Sequence, residues 1–189
     1  MEFLQILEYS CTGLGLAQGV LIALNRRSNW IFYILQMLGM TIFSALNHLW
    51  GDTANSSIYL IIGIIGFIRW GVPEKNRITS CSATERSIYC VLIALGTLIV
   101  SGMLSRTNDP LPALDAFTTV SSFVATYYMM TKKLDAWIIW FINDIAYVVE
   151  YFLLPNQAIS LAILNIIWTG LAVYSFINWH SIMKKEQTK

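Results

Sequence analysis

Long apolar stretches, each ended by a short polar or charged interruption, follow one another along the whole chain. A helix needs about 20 mostly apolar residues to cross the hydrocarbon of a bilayer. Windows of that length, bounded by charge, Pro or clusters of Asn, Asp and Ser, fall at seven places: residues 3–24, 30–50, 55–71, 85–104, 111–130, 137–154 and 158–183. The connections are short, as at 25–29 and 153–157, which makes successive helices antiparallel neighbours in one bundle. The pattern predicts an all-α integral membrane protein of seven transmembrane helices with no extramembrane domain.

Composition removes the soluble alternative. Charged residues make up 12% of the chain and hydrophobic ones 56%. That is about half the charge of an average soluble domain and more apolar side chain than one soluble core of this size buries. The net charge of +1 gives no basic field for nucleic acid. Three cysteines, Cys11, Cys81 and Cys90, are too scattered for a metal knuckle or a redox pair and read as small packing residues.

Lys and Arg collect on the cytoplasmic side of membrane proteins, so their distribution tests the span count. With the amino terminus outside, Arg26, Arg27, Arg69, Lys75, Arg77, Arg86, Lys132, Lys133, Lys184, Lys185 and Lys189 fall inside, and only Arg106 falls outside. So lopsided a division fits an odd number of spans, amino terminus out and carboxyl terminus in. The first span carries Glu8, has no cationic lead and is followed by no small-residue cleavage site, so it is expected to remain as a helix of the mature protein.

The chain also repeats itself. Trp30-Ile31-Phe32-Tyr33-Ile34-Leu35-Gln36 is answered by Trp137-Ile138-Ile139-Trp140-Phe141-Ile142-Asn143, each after a dibasic turn, and Phe67-Ile68-Arg69-Trp70 by Phe176-Ile177-Asn178-Trp179. A three-helix unit ends on the side opposite its start, so a second copy in the same orientation requires one more crossing between the copies. The fourth window, the most uniformly apolar, supplies it. The expectation is two parallel three-helix repeats, 1–71 and 108–183, joined by a loop and linker helix at 72–107 and followed by a basic cytoplasmic tail at 184–189. Repeats of this kind occur in transporters, with substrate between them near mid-membrane.

The sixth window has the clearest polar face. Trp137, Trp140, Asp144, Tyr147 and Tyr151 lie within an arc of about 80° at about 100° per residue. An unpaired carboxylate is costly at bilayer depth, so Asp144 must face protein or a watery cavity. Rings beside an acid suit a flat, cationic, partly apolar ligand, because they stack and their π faces attract positive charge. For Trp137, at the cytoplasmic end, interfacial anchoring is an equal reading; Trp140 lies a turn deeper, in line with Asp144.

On the second window Trp30, Tyr33, Met37, Met40, Ser44 and His48 share a side, with Gln36 and Asn47 at its margin. Gln36 suits ligand hydroxyls or an amide, or equally an interhelical hydrogen bond. Asn47 and His48 belong to a solvated outer mouth. The stripe Asp115, Thr118, Thr119, Ser122, Thr126 and Met129 on the fifth window reads as close helix packing. So do Gly63 and Gly66, beside Asn55, Tyr59 and Trp70, and Gly15 and Gly19 in the first window. Asn165, Trp168, Ser175 and Trp179 share a side of the seventh, and Glu150 stands off the aromatic stripe as a subunit contact, an exit-path group or an outer-interface acid.

These residues resemble the PnuC-type vitamin transporters, which take up nicotinamide riboside and have thiamine-specific relatives. The resemblance runs from about Tyr9 to Trp179 and rests on the W-x-x-W of Trp137 and Trp140, on Asp144 one turn onward, on the opening of the first repeat at Trp30 to Gln36, and on the three-plus-one-plus-three layout. It implies facilitated diffusion of a phosphate-free vitamin through a homotrimer in the bacterial inner membrane, with trapping by a cytoplasmic kinase and no cofactor. It further implies a substrate cavity lined by Trp137, Trp140 and the residue at the Asp144 position, with Gln36 from the first repeat; Asn143, Tyr147 and Tyr33, on the same two windows, are expected to join that substrate site. Two departures bear on the substrate: Asp144 stands, after Asn143, where some members carry Asn, and Tyr33 replaces the second tryptophan in the first repeat.

Other classes lack their chemistry. An intramembrane enzyme needs a nucleophile with a base, paired catalytic carboxylates or a metal cluster, and the only histidines, His48 and His180, lie near helix ends. A retinal photoreceptor needs a lysine within the last span, and none occurs between Ala158 and Met183. A proton-coupled carrier using Asp144 and Glu150 is the closest rival.

Overall fold

The computed structural model describes residues 2–154 and 158–188; Met1, the connection residues Pro155, Asn156 and Gln157, and Lys189 of the expected basic tail lie outside the described residues. The described chain forms α1 (Glu2–Ala23), α2 (Asn29–Leu46), α3 (Trp50–Arg69), a 3-10 turn (Pro73–Lys75), α4 (Ala83–Leu104), α5 (Pro112–Met130), α6 (Ala136–Leu153) and α7 (Ile159–Gln187). Each expected span is a helix. Five of them, α1, α2, α4, α6 and α7, are long and apolar enough on their own to cross a membrane. α3 and α5 have the length, 20 and 19 residues, but carry acids and hydroxyls that lower their hydropathy.

Two boundaries differ from expectation. The second span was expected to reach Trp50, yet α2 ends at Leu46 and Trp50 opens α3. His48 takes a left-handed φ of 58°, and the Leu49 N–H turns back to the Ser44 carbonyl, which satisfies the end of α2 and stops it. At the other end, Lys184 and Lys185 are not a tail: they continue α7, which runs to Gln187. Cations in a last helical turn are favoured by the helix dipole.

The chain divides into two compact units, Met1–Arg77 and Ile78–Lys189. In the first, α2 packs against α1 and α3; in the second, the packing order is α4, α5, α6, α7. The linker helix, expected as a separate segment over 72–107, therefore packs as part of the second unit. A Cβ on Gly96 would lie 2.8 Å from Val120 of α5, and Tyr89 of α4 meets Tyr128 of α5 edge-on at 5.5 Å. No residue of α4 is buried; its Val91, Leu92, Leu95, Leu98 and Ile99 present a face suited to lipid.

Small residues bring the helices together, as the glycine patterns foretold. Gly15 of α1 lies against the Gln36 side chain, and Gly39 of α2 receives the Cys11 sulfur. On α3, Gly63 faces the Tyr33 ring at 2.9 Å and Gly66 faces the Trp30 indole at 2.7 Å, measured from a notional Cβ. A side chain at either position would displace a ring. Thr41 and Ser56, 3.0 Å apart, and Thr53 and Ser44, 3.1 Å apart, hydrogen-bond α2 to α3 farther along.

Corresponding positions of the two units do the same job. Cys11, Gly15, Gly19, Ile22 and Ala23 of α1 are buried, and so are their counterparts Thr118, Ser122, Thr126, Met129 and Met130 of α5. Ser56, Gly63, Gly66 and Trp70 of α3 match buried Asn165, Ala172, Ser175 and Trp179 of α7. The turns agree in backbone: Asn25 and Lys132 both adopt φ 56°, and Ser28 and Asp135, which precede α2 and α6, have φ, ψ of −58°, −20° and −59°, −19°. Trp30 meets Trp70 edge-on at 5.7 Å, and Trp137 meets Trp179 edge-on at 5.3 Å.

Candidate functional site

α6 starts where Asp135 ends the turn from α5, and its side chain is committed elsewhere than to capping. One carboxylate oxygen accepts from the Cys81 N–H at 2.8 Å and the other from Arg86 Nε at 2.8 Å. Lys133 pairs with Glu85 at 2.7 Å. The Thr79 N–H donates to the Lys132 carbonyl, and the Leu134 N–H donates to the Thr79 carbonyl. The start of α4 and the strand of loop before it are thus stapled to the start of α6. Cys81 is buried inside the staple, where burial first and the Asp135 carboxylate second push its thiol up to about 12; it is inert packing, as expected. Lys132, expected among the cytoplasmic cations, is 2% exposed. Burial pushes its ammonium down to about 8 against the pull of Glu186.

The buried face of α6 contains Ala136, Trp137, Ile139, Asn143 and Asp144. Ile138, Phe141, Ile142, Ile145, Val149 and Phe152 are exposed on the far side, as a lipid-facing surface requires. The carboxylate of Asp144 is therefore turned inward. The residue is 5% exposed, and no hydrogen bond or ion pair joins it to another described residue. Asn143 is fully buried; its Oδ1 lies 2.8 Å from Ser121 Oγ of α5, and its Nδ2 has no partner. Trp140, half-buried a turn earlier, has an unpartnered buried indole N–H. Tyr147 stacks on Tyr151 at 5.7 Å with the rings 12° from parallel. Buried polar atoms almost always find a partner. The Trp140 indole and the Asn143 amide do not, and with the inward Asp144 carboxylate beside them they leave hydrogen-bonding capacity and charge for a ligand.

Trp137, expected as either a substrate wall or an interfacial anchor, sits in the packing of its unit. Its ring is 5% exposed and stands edge-on to Trp179, and its indole N–H is unpartnered, as is that of its counterpart Trp30. Shared geometry at the two positions makes packing its evident role, with one edge on a shallow apolar groove formed with Phe141, Ala172 and Phe176. Tyr33 and Gln36, in the other unit, are the counterparts of Trp140 and Asn143. Tyr33 lies between Trp30 and Tyr59 edges, at 5.6 and 6.4 Å, against Gly63. Gln36 lies against Gly15 of α1.

Two groups were missed or misread in the sequence. Ser121 escaped the hydroxyl stripe of α5, although it is the residue that reaches Asn143; the adjacent Ser121-Ser122 pair was the available signal. Glu150, left open between three outward roles, accepts from Thr118 of α5 at 3.2 Å.

Apolar helices of membrane-spanning length that carry an inward acid and unpartnered indole and amide groups mark a multi-pass membrane protein with a functional interior. The family model described as Nicotinamide mononucleotide transporter matches residues 5–181, and the chain belongs to that family. It is 23% identical over 180 residues to the nicotinamide riboside transporter PnuC of Neisseria mucosa, covering 88% of this chain and 68% of that one. It is 23% identical over 165 residues to the riboflavin/roseoflavin transporter RibM of Streptomyces davaonensis, covering 82% and 76%. A crystal structure of the Vitamin B3 transporter PnuC superimposes with a TM-score of 0.72 at 19% identity, over 95% of this chain and 82% of that one. The chain is accordingly a multi-pass transporter of the bacterial inner membrane.

Proposed function

We propose that the protein carries a nicotinamide riboside-type precursor of NAD across the membrane by facilitated diffusion. The observation that carries this reading is the buried Asp144 carboxylate without a partner, one residue from an amide and one turn from an indole that also lack partners. A pyridinium nucleoside supplies what is missing: a fixed positive charge for the acid, an aromatic plane for Trp140, and amide and hydroxyl groups for Asn143 and the indole N–H. A cation beside an aromatic face gains about 0.5–2 kcal/mol, and pairing removes the cost of an isolated buried carboxylate. Tyr147, the next ring along α6, extends the wall.

The remaining features belong to the same proposal. The distribution of cations supports an amino terminus outside and a carboxyl terminus inside. Uptake needs no covalent chemistry by the protein, and phosphorylation by a cytoplasmic kinase keeps the product inside. The apolar face of α4 serves lipid or, in a homotrimer, a second copy. Titrating purified protein with nicotinamide riboside, thiamine and riboflavin, followed by tryptophan fluorescence, tests the substrate. Nicotinamide riboside is expected to quench at the lowest concentration. Preference for riboflavin, whose ring system is neutral, contradicts the role given to Asp144. Uptake that survives collapse of the proton gradient supports facilitated diffusion; uptake that stops supports proton coupling.

A further inference from the structure

Asn143 is fully buried, and its amide has two ends, one on Ser121 and one unpartnered. Which end is which decides what kind of group the site accepts, because the oxygen only accepts hydrogen bonds and the nitrogen only donates them. Ser121 settles it. Its hydroxyl carries one proton and stands 2.6 Å from the Phe117 carbonyl as well as 2.8 Å from the amide. Sending the proton to Asn143 would leave two oxygen lone pairs facing each other at 2.6 Å. When the proton goes to Phe117, the shorter contact, Asn143 meets Ser121 through Nδ2 as donor. An amide turns end for end at almost no steric cost, so the unpartnered end is then the oxygen.

We propose that Ser121 is a positioning residue that holds Asn143 with its carbonyl oxygen toward the substrate, so that the site selects a hydrogen-bond-donating, uncharged head such as a carboxamide and rejects the matching carboxylate. The inference rests on the substrate reading above and adds a rule to it. Asp144, the next residue, acts in the same sense by repelling a carboxylate, but it does so whatever sits at position 121. Without the hydroxyl the amide is free to turn and offer Nδ2, which suits an acid.

The test compares dissociation constants of nicotinamide riboside and nicotinic acid riboside, by calorimetry, for purified wild type, Ser121→Ala and Ser121→Thr. Wild type is expected to prefer the amide at least tenfold, the worth of about one buried hydrogen bond. Ser121→Ala should cut that preference roughly tenfold while still binding the amide, and Ser121→Thr, which keeps the hydroxyl, should restore it. Loss of a purely structural contact would weaken both ligands alike. An unchanged ratio in Ser121→Ala, or no preference in wild type, overturns the inference while leaving the substrate reading in place. Failure of wild type to bind nicotinamide riboside overturns both. Should Ser121→Ala not fold, Ser121→Cys, whose thiol is a weak donor and acceptor, gives the same comparison.

Discussion

The two units share a framework and differ in what they hang on it. The second helix of the first unit and the third of the second, α2 and α6, each begin after the same turn, open with a tryptophan and stand it edge-on to another from the helix that follows. The positions that follow diverge. Where α2 carries Tyr33, Gln36, Met37 and Met40, α6 carries Trp140, Asn143, Asp144 and Tyr147. Gln36 lies against a glycine within its unit, whereas Asn143 and Asp144 are buried with hydrogen-bonding capacity to spare. The lesson is that burial is kept at matching positions even where the residue changes, and that the unpartnered polar groups have accumulated on one helix.

The strongest way to break the comparison is through the tryptophan pairs. Trp30→Ala and Trp137→Ala each empty a buried indole site, and each should cost about 3–5 kcal/mol of stability, seen as a similar drop in thermal midpoint in detergent. Unequal losses would show that Trp137 is held for substrate rather than for packing. Next comes the glycine ridge. Gly66→Ala pushes on the Trp30 ring and should destabilise by about 1–3 kcal/mol, whereas Gly170→Ala, with nothing within 4 Å, should be neutral or slightly stabilising because alanine favours helix.

The turns give a third contrast. Asp135→Ala leaves the Cys81 N–H without an acceptor and should cost about 1–3 kcal/mol. The half-exposed Arg86 guanidinium, 53% accessible, recovers water and adds little. Ser28→Ala, at the matching position but without a side-chain capping bond, should change stability by less than about 0.5 kcal/mol.

The last expected effect depends on pH. Lys132→Asn copies Asn25 of the other turn, tolerates the left-handed backbone and removes a buried cation. Because burial holds Lys132 near 8 in the folded protein, below the ordinary 10.5 of an unfolded chain, the unfolded state binds more protons between those values. Stability attributable to Lys132 therefore rises from pH 8 to 10.5 and its penalty is fully present below pH 8. Lys132→Asn should gain about 1 kcal/mol at pH 7, and the gain should shrink as the pH passes 8. A gain that does not depend on pH would assign it to the backbone alone.

Most of the fold was legible because apolar windows of span length leave a membrane chain few options, and the glycines of α1 and α3 marked the close contacts. The inward turn of Asp144 followed from the cost of burying charge. What the one-dimensional pattern could not carry was partnership across helices. Ser121 differs from its neighbour Ser122 only in which helix it faces, and Lys132 reads as a loop cation until α7 is seen to run on past Met183 toward Glu186. The separate linker at 72–107 was a statement about crossings, which are countable in sequence; its packing against α5 is set by Gly96 and Val120, which are not.

The central claim is that the polar face of α6 binds the cationic aromatic substrate. Calorimetric titration of nicotinamide riboside into Trp140→Ala and Asp144→Asn, beside wild type, tests it most directly. The account predicts that each substitution weakens binding by about tenfold or more with little change in thermal midpoint. Affinities equal to that of wild type in both variants would contradict it.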